Sequence, residues 1–285
     1  MPLRPIVPRY RPLAWLLAVY LAVSTLTRLA LLVTAGRGVP ASAGHWLSVF
    51  GIGLGYDLLT FVYFAWPLVL LLWLLPRRWF AARPGCWSVT ALGWVLVAIC
   101  LFVAVAEWTF WEEFQTRFNF IAVDYLVYTT EVIGNIRESY PVPAILTVLC
   151  LLATAVCWFG RRWLLPQAGD GMPFRRRGLV TLGWLAVSVL GTWLVSGDIK
   201  DRSDNEYVNE LAGNGIYQFF AAYRSAGIDY DRFYRSEPTR EAFIGLRPLL
   251  KTPDSVFAND DPLDITRRIT AQRPQRRLNV VLISV

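Results

Sequence analysis

Two charges sit where an apolar environment makes them costly. Arg28 lies inside the apolar run at residues 13–34, and Asp57 inside the run at 46–75. At mid-membrane either one costs about 2.5–3.5 kcal/mol on insertion scales, so each is expected to face a partner. Arg28 comes late in its run and Asp57 early in the next, which puts them at similar depth on adjacent antiparallel helices. Two chemistries are open to such a pair: an ion pair that fastens two helices, or a polar spot that receives a lipid headgroup. A second group, Glu112, Glu113, Arg117, Asp124 and Arg137, lies among aromatic residues in the stretch 107–141. These charges read either as a solvated face or as headgroup ligands.

No other constellation offers chemistry. There is no nucleophile–base arrangement, no phosphate-binding glycine loop and no His-rich metal cluster. The single histidine, His45, reads as a surface residue. Cys86, Cys100, Cys150 and Cys157 fall in or beside apolar runs without ligand spacing, which is how inert small hydrophobes are distributed.

The elements that position these charges follow from composition. The chain is 55% hydrophobic with 13 Trp and a mean hydropathy of +0.41, too apolar for an ordinary soluble domain. Five segments are long enough to cross a hydrocarbon core of about 30 Å: residues 13–34, 46–75, 87–108, 143–163 and 179–195. The first reads as a retained anchor, because its apolar character outruns a signal peptide and no clean cleavage site follows. The second is 30 residues long, which implies tilt or projection beyond the bilayer. Its opening "GIGLG" (51–55) fits a small-residue packing face.

Charge orients the five segments. Residues 198–285 hold 13 Lys/Arg against 13 Asp/Glu, so the net charge of +7 belongs to residues 1–197. That distribution excludes a nucleic-acid partner and makes the basicity a topology signal. Arg4, Arg9, Arg11, Arg77, Arg78, Arg83, Arg161, Arg162, Arg175, Arg176 and Arg177 fall on one side, while the alternate short loop holds only Arg37. The N-terminus is therefore expected in the cytoplasm and, after five spans, the C-terminal segment outside. The expected fold class is an α-helical polytopic membrane protein with interfacial helices.

Three further segments complete the expectation. Residues 107–141, on the outer side, repeat apolar and aromatic residues every three or four positions. That pattern suits amphipathic helices lying at the interface or packed on the bundle. Residues 198–277 form an exported helical connector, with a helix over 209–222 that Gly215 could divide, another around 240–250, and a turn at "NDDP". Residues 278–285 ("LNVVLISV") read as a buried β-strand that needs neighbours on both edges.

Several of these stretches resemble one family. "GLGYDL", "RFNFIAVDYLVYTTEVIGNI", "NELAGNGIYQFFAAYR", "DYDRFY" and "NVVLISV" are similar to lipoteichoic-acid-synthase-like proteins, the phosphoglycerol-transferase branch of the alkaline phosphatase and sulfatase superfamily. The resemblance implies five spans in a bacterial plasma membrane, followed by an exported α/β catalytic domain whose first strand is the segment 278–285. It implies transfer of phosphoglycerol from phosphatidylglycerol to a polymer or glycan acceptor, using a Thr or Ser nucleophile and a divalent metal, Mn or Mg. Those residues belong to a catalytic domain missing from this chain, so no catalytic or metal residue is assigned here and the chain alone is expected to be inactive. The partners implied are membrane lipids and that catalytic domain. Phosphoethanolamine transferases, with similar spans, are an alternative; their first strand runs into a "GET" motif where this chain has Ser284–Val285. A non-enzymatic membrane scaffold, whose terminal strand another polypeptide completes, is a second alternative. A transporter fits poorly, since there are no repeated halves.

Overall fold

Among the described residues of the computed structural model, five helices are long and apolar enough to cross a membrane: Arg11–Gly38, Ala43–Phe64, Arg83–Phe114, Val142–Leu164 and Phe174–Leu194. The structure describes residues 8–40, 42–80, 82–127, 129–166, 172–224, 237–270 and 281–282. It divides into two compact units, Met1–Ala226 and Gly227–Val285. The sequence sets a boundary after residue 197. The first unit instead runs on to Ala226, because the segment after the last long helix folds back onto the bundle.

Prolines and glycines set the helix limits. Helix α1 (Arg11–Ala35) opens with Pro12, where a missing N–H costs nothing, and ends at Gly36 with φ +52°. The predicted run 46–75 is not one helix. It comprises α2 (Ala43–Leu47), a π-turn (Ser48–Ile52), α3 (Gly53–Phe64) and α4 (Trp66–Leu74). The interruption at Ala65 follows from Pro67, which has no N–H to donate. The next connection follows the same logic: α5 (Arg77–Phe80) precedes Pro84 at the start of α6 (Arg83–Phe114). Helix α6 continues six residues past the expected end at 108 and stops at Gln115, which is left-handed (φ 54°). Next come α7 (Phe120–Val127), α8 (Thr129–Ser139), α9 (Val142–Leu164) and α10 (Phe174–Leu194).

Helices α1, α6 and α9 pack on one another, α3–α4 lies against α1 and α6, and α10 covers α3–α4. Leu16, Leu68, Leu72, Val97, Ala153 and Leu164 are buried between them. Small residues allow the closest approaches: Gly160 meets the Trp15 indole, Gly191 meets Leu59, and Gly93 sits where a Cβ would lie 2.7 Å from Leu164. Of the "GIGLG" glycines, only Gly53 is crowded, and the crowding group is the Arg28 guanidinium, 2.5 Å from where a Cβ would be. Large apolar side chains cover the outward faces, including Val33, Phe159, Leu179 and Trp193.

One end of the bundle collects arginines. Arg9 and Arg177 both reach the last carbonyls of α4: Arg9 donates to Leu72 O and Leu75 O, while Arg177 donates to Trp73 O (3.0 Å) and Leu75 O (2.8 Å). Cations there also oppose the negative end of the helix dipole. Arg11 donates to Arg162 O at 3.3 Å, and Arg77 to Met172 O at 3.0 Å.

At the far end, residues after α10 make α11 (Glu206–Ala212) and α12 (Gly215–Arg224). The helix expected over 209–222, which Gly215 could divide, is two helices separated at Gly213–Asn214. Asn205 caps α11 through Val208 N (3.1 Å) and donates to Gly38 O (2.9 Å). Leu211 and Val208 pack with Leu31, Val49 and Trp111, so the π-turn that carries Val49 is a seat for α11.

In the second unit, α13 (Thr239–Leu250) matches the helix expected around 240–250. A short antiparallel pair follows, β1 (Ser255–Phe257) and β2 (Arg267–Ile269), which the sequence reading lacks. The turn between them contains "NDDP" and is held by Arg247, which donates to Asn259 O (2.8 Å) and Asp261 O and lies over the Phe257 ring. Of the strand expected at 278–285, only Val281 and Leu282 are among the described residues; both are exposed and outside any regular element.

Candidate functional site

The far end of the bundle holds a buried polar network that starts from Arg28. Its guanidinium donates to both carboxylate oxygens of Asp57, at 2.7 and 2.9 Å, and the pair is almost fully buried. Such two-pronged geometry fixes orientation as well as charge. The remaining donors of Arg28 go to Leu211 O (2.9 Å) and Gly213 O (3.1 Å), the last carbonyls of α11. Asp57 also accepts from Asn214 Nδ2 at 2.8 Å, and that amide reaches the Tyr20 hydroxyl at 3.2 Å. Asn214 Oδ1 then accepts Tyr217 N at 3.2 Å, at the start of α12.

A second pair closes the network. Arg117 lies 3.0 Å from Glu107, both buried, and donates to Gly213 O at 2.6 Å. The Nε–Oε1 contact is off hydrogen-bond alignment, so this pair acts through charge more than through a directed bond. Burial pushes the Arg117 guanidinium below its usual range, against the pull of Glu107. Gly215 is required beside it: a Cβ there would sit 2.5 Å from Glu107 Oε1.

Glu210 ties the same loop to α11 from outside. It accepts Thr116 Oγ1 (2.8 Å), Arg117 N (3.0 Å) and Lys200 Nζ (2.6 Å). Burial raises its carboxyl, yet the Lys200 ammonium and these hydrogen bonds outweigh it and hold it below the ordinary range. Lys200 answers in kind: burial lowers it, Glu210 more than offsets that, and it sits above its usual range.

Beside the network is a cavity of about 840 Å³ lined by α6, α7, α8 and α12 with Phe64. Apolar and aromatic side chains dominate it, among them Val103, Phe110, Phe118 and Phe219. Its polar lining is sparse: Thr109, Glu113, Tyr125, Asn135, Ser139 and Tyr140. The Phe118 and Phe219 rings, 6.4 Å apart, join the wall to the network residues next to them.

The seven residues singled out by sequence therefore fall into three places. Arg28 and Asp57 are together. Arg117 is buried in an ion pair and not on a solvated face. Glu113 lines the cavity, whereas Glu112, Asp124 and Arg137 are exposed and away from it. Sequence reading did not single out Glu107, Glu210, Asn214 or Tyr20. The available signals were the Gly213-Asn214-Gly215 interruption and an acid inside a helix that runs to Phe114.

Among the described residues there is no group of three or more His, Cys, Asp or Glu that could hold a metal ion. Comparisons with protein-family models, with curated proteins and with solved structures give no match to this chain.

Proposed function

We propose that this chain is the membrane anchor of an exported phosphoglycerol transferase and presents phosphatidylglycerol to a catalytic domain that follows it. In this reading the Arg-rich end faces the cytoplasm and the network end faces outward, in a bacterial plasma membrane. The observation that supports the reading best is a convergence in space. Asp57 of "GLGYDL", Arg117 of the 117–136 stretch and Gly213–Asn214 of "NELAGNGIY" are far apart in sequence and bond to one another. These are the stretches that carry the resemblance. The network's part is to fix α11 and the start of α12 on the bundle.

The test uses the product of the whole reading frame. In phosphatidylglycerol vesicles supplied with Mn²⁺ or Mg²⁺, it is expected to release diacylglycerol and transfer phosphoglycerol, whereas the 285-residue chain is expected to be silent. A frame that closes directly after Val285, or a full-length product without transfer, overturns the reading.

A further inference from the structure

The cavity's charge does not suit an anionic lipid. Among the described lining residues Glu113 is the only carboxylate, and there is no Lys, Arg or His. The nearest guanidinium in sequence, Arg117, is committed to Glu107 and Gly213 O. A phosphate at the polar end would meet the Glu113 carboxylate and no cation, and like charges repel. Hydroxyls and an amide, by contrast, are well placed to hydrogen-bond a neutral headgroup.

Shape agrees with a lipid. The wall follows α6 from Ile99 to Glu113, about 21 Å at 1.5 Å per residue. One leaflet of hydrocarbon is about 15 Å deep, half of the usual core. Along α6 the lining runs from Ile99, Val103 and Ala106 to Thr109, Phe110, Glu113 and Phe114, so its polar groups come in only toward the network end. An apolar body with a polar tip at that end fits this gradient.

We propose that the cavity binds a neutral, hydroxyl-bearing lipid of the diacylglycerol class in preference to an anionic phospholipid. The link to the reaction rests on the function proposed above. Transfer breaks the bond between phosphorus and the diacylglycerol oxygen, phosphoglycerol passes to the enzyme's hydroxyl, and the released oxygen takes up one proton. The product is diacylglycerol, and the cavity is where it is held before it leaves.

Binding is measured on the full chain in phosphatidylcholine nanodiscs, with fluorescent-tailed dioleoylglycerol and phosphatidylglycerol of identical tails. Dioleoylglycerol is expected to bind at least about tenfold more tightly. Ala106→Trp, deep in the cavity, and Asn135→Trp, at α8, should each weaken it at least about tenfold, while Leu190→Trp on the exposed flank of α10 leaves it unchanged. Glu113→Lys should erase the preference or reverse it. Because Glu113 is exposed, that variant decides the matter if either cavity-filling variant misfolds. Phosphatidylglycerol binding as tightly as dioleoylglycerol, or a preference that survives Glu113→Lys, overturns the proposal. Loss of the preference with phosphoglycerol transfer intact removes this proposal alone; a preserved preference without transfer removes only the functional reading.

Discussion

The Arg28 guanidinium and the Asp57 carboxylate meet through parallel hydrogen bonds of 2.7 and 2.9 Å, and the same guanidinium holds the carbonyls of Leu211 and Gly213. One side chain thus pairs two long helices and anchors the segment that follows the fifth. Removing Asp57 leaves a buried cation unpaired, and the expected cost of Asp57→Ala is about 3–5 kcal/mol. Replacing both partners, Arg28→Met with Asp57→Leu, should cost less than either single change. A double-mutant cycle read by thermal unfolding in detergent checks this; additive losses would refute the coupling. Arg28→Met should also expose residues 206–217 to protease.

Two glycines are expected to respond in opposite directions. A methyl group at Gly215 meets Glu107 Oε1 at 2.5 Å, whereas one at Gly134 in α8 meets nothing within 4 Å. Gly215→Ala should therefore lower the unfolding temperature. Gly134→Ala should raise stability by about 0.5–1 kcal/mol through helix propensity. The same unfolding assay separates them.

Docking of α11 should depend on pH through Glu210 and Lys200. Glu210 is held below its ordinary value of 4.5, so its contribution is full above that pH and is lost as pH falls through the lower folded value. Lys200 is held above its ordinary 10.5, so its contribution is full below that pH and is lost as pH rises through the higher folded value. Protease resistance of residues 206–217 should be flat from about pH 5 to 10 and fall outside that window. Glu210→Gln should weaken docking at neutral pH by about 1.5–3 kcal/mol, the usual worth of a hydrogen bond to a charged group.

At the opposite end, Arg177→Met removes the donors to Trp73 O and Leu75 O. Arg9 still reaches Leu75 O, so Trp73 O loses its arginine donor while Leu75 O keeps one. A loss of about 1–3 kcal/mol is expected, and Arg9→Met combined with it should cost more than either alone.

Much of this was legible in the sequence. Hydropathy located all five long helices because each is a long, predominantly apolar run, and the depths of Arg28 and Asp57 already allowed their pairing. The helix ends were harder to read. The expected span ends at 108, but α6 continues to Phe114, and this hid Glu107 as an interior acid. Gly215 already pointed to a division of 209–222, and the break falls just before it, at Gly213–Asn214. The carbonyls exposed by that break have partners 183–185 residues earlier and 96 residues earlier, which no local pattern records. Arg117 looked solvated because its flanking aromatics suggested an interface; the burial comes from α11 and α12 folding over it.

The spacing of partners around Arg28 also orders biosynthesis. Asp57 follows it by 29 residues, so the ion pair can form once the second helix has emerged from the ribosome and met the first. Leu211 and Gly213 follow by 183 and 185 residues, after every long helix has been made. The costly charge is thus neutralised early, within a helical hairpin, while its remaining donors wait for a latch that arrives last. A nascent chain that stalls before residue 211 would hold a paired but open hairpin, and closing the latch would report that the whole bundle has been assembled beneath it.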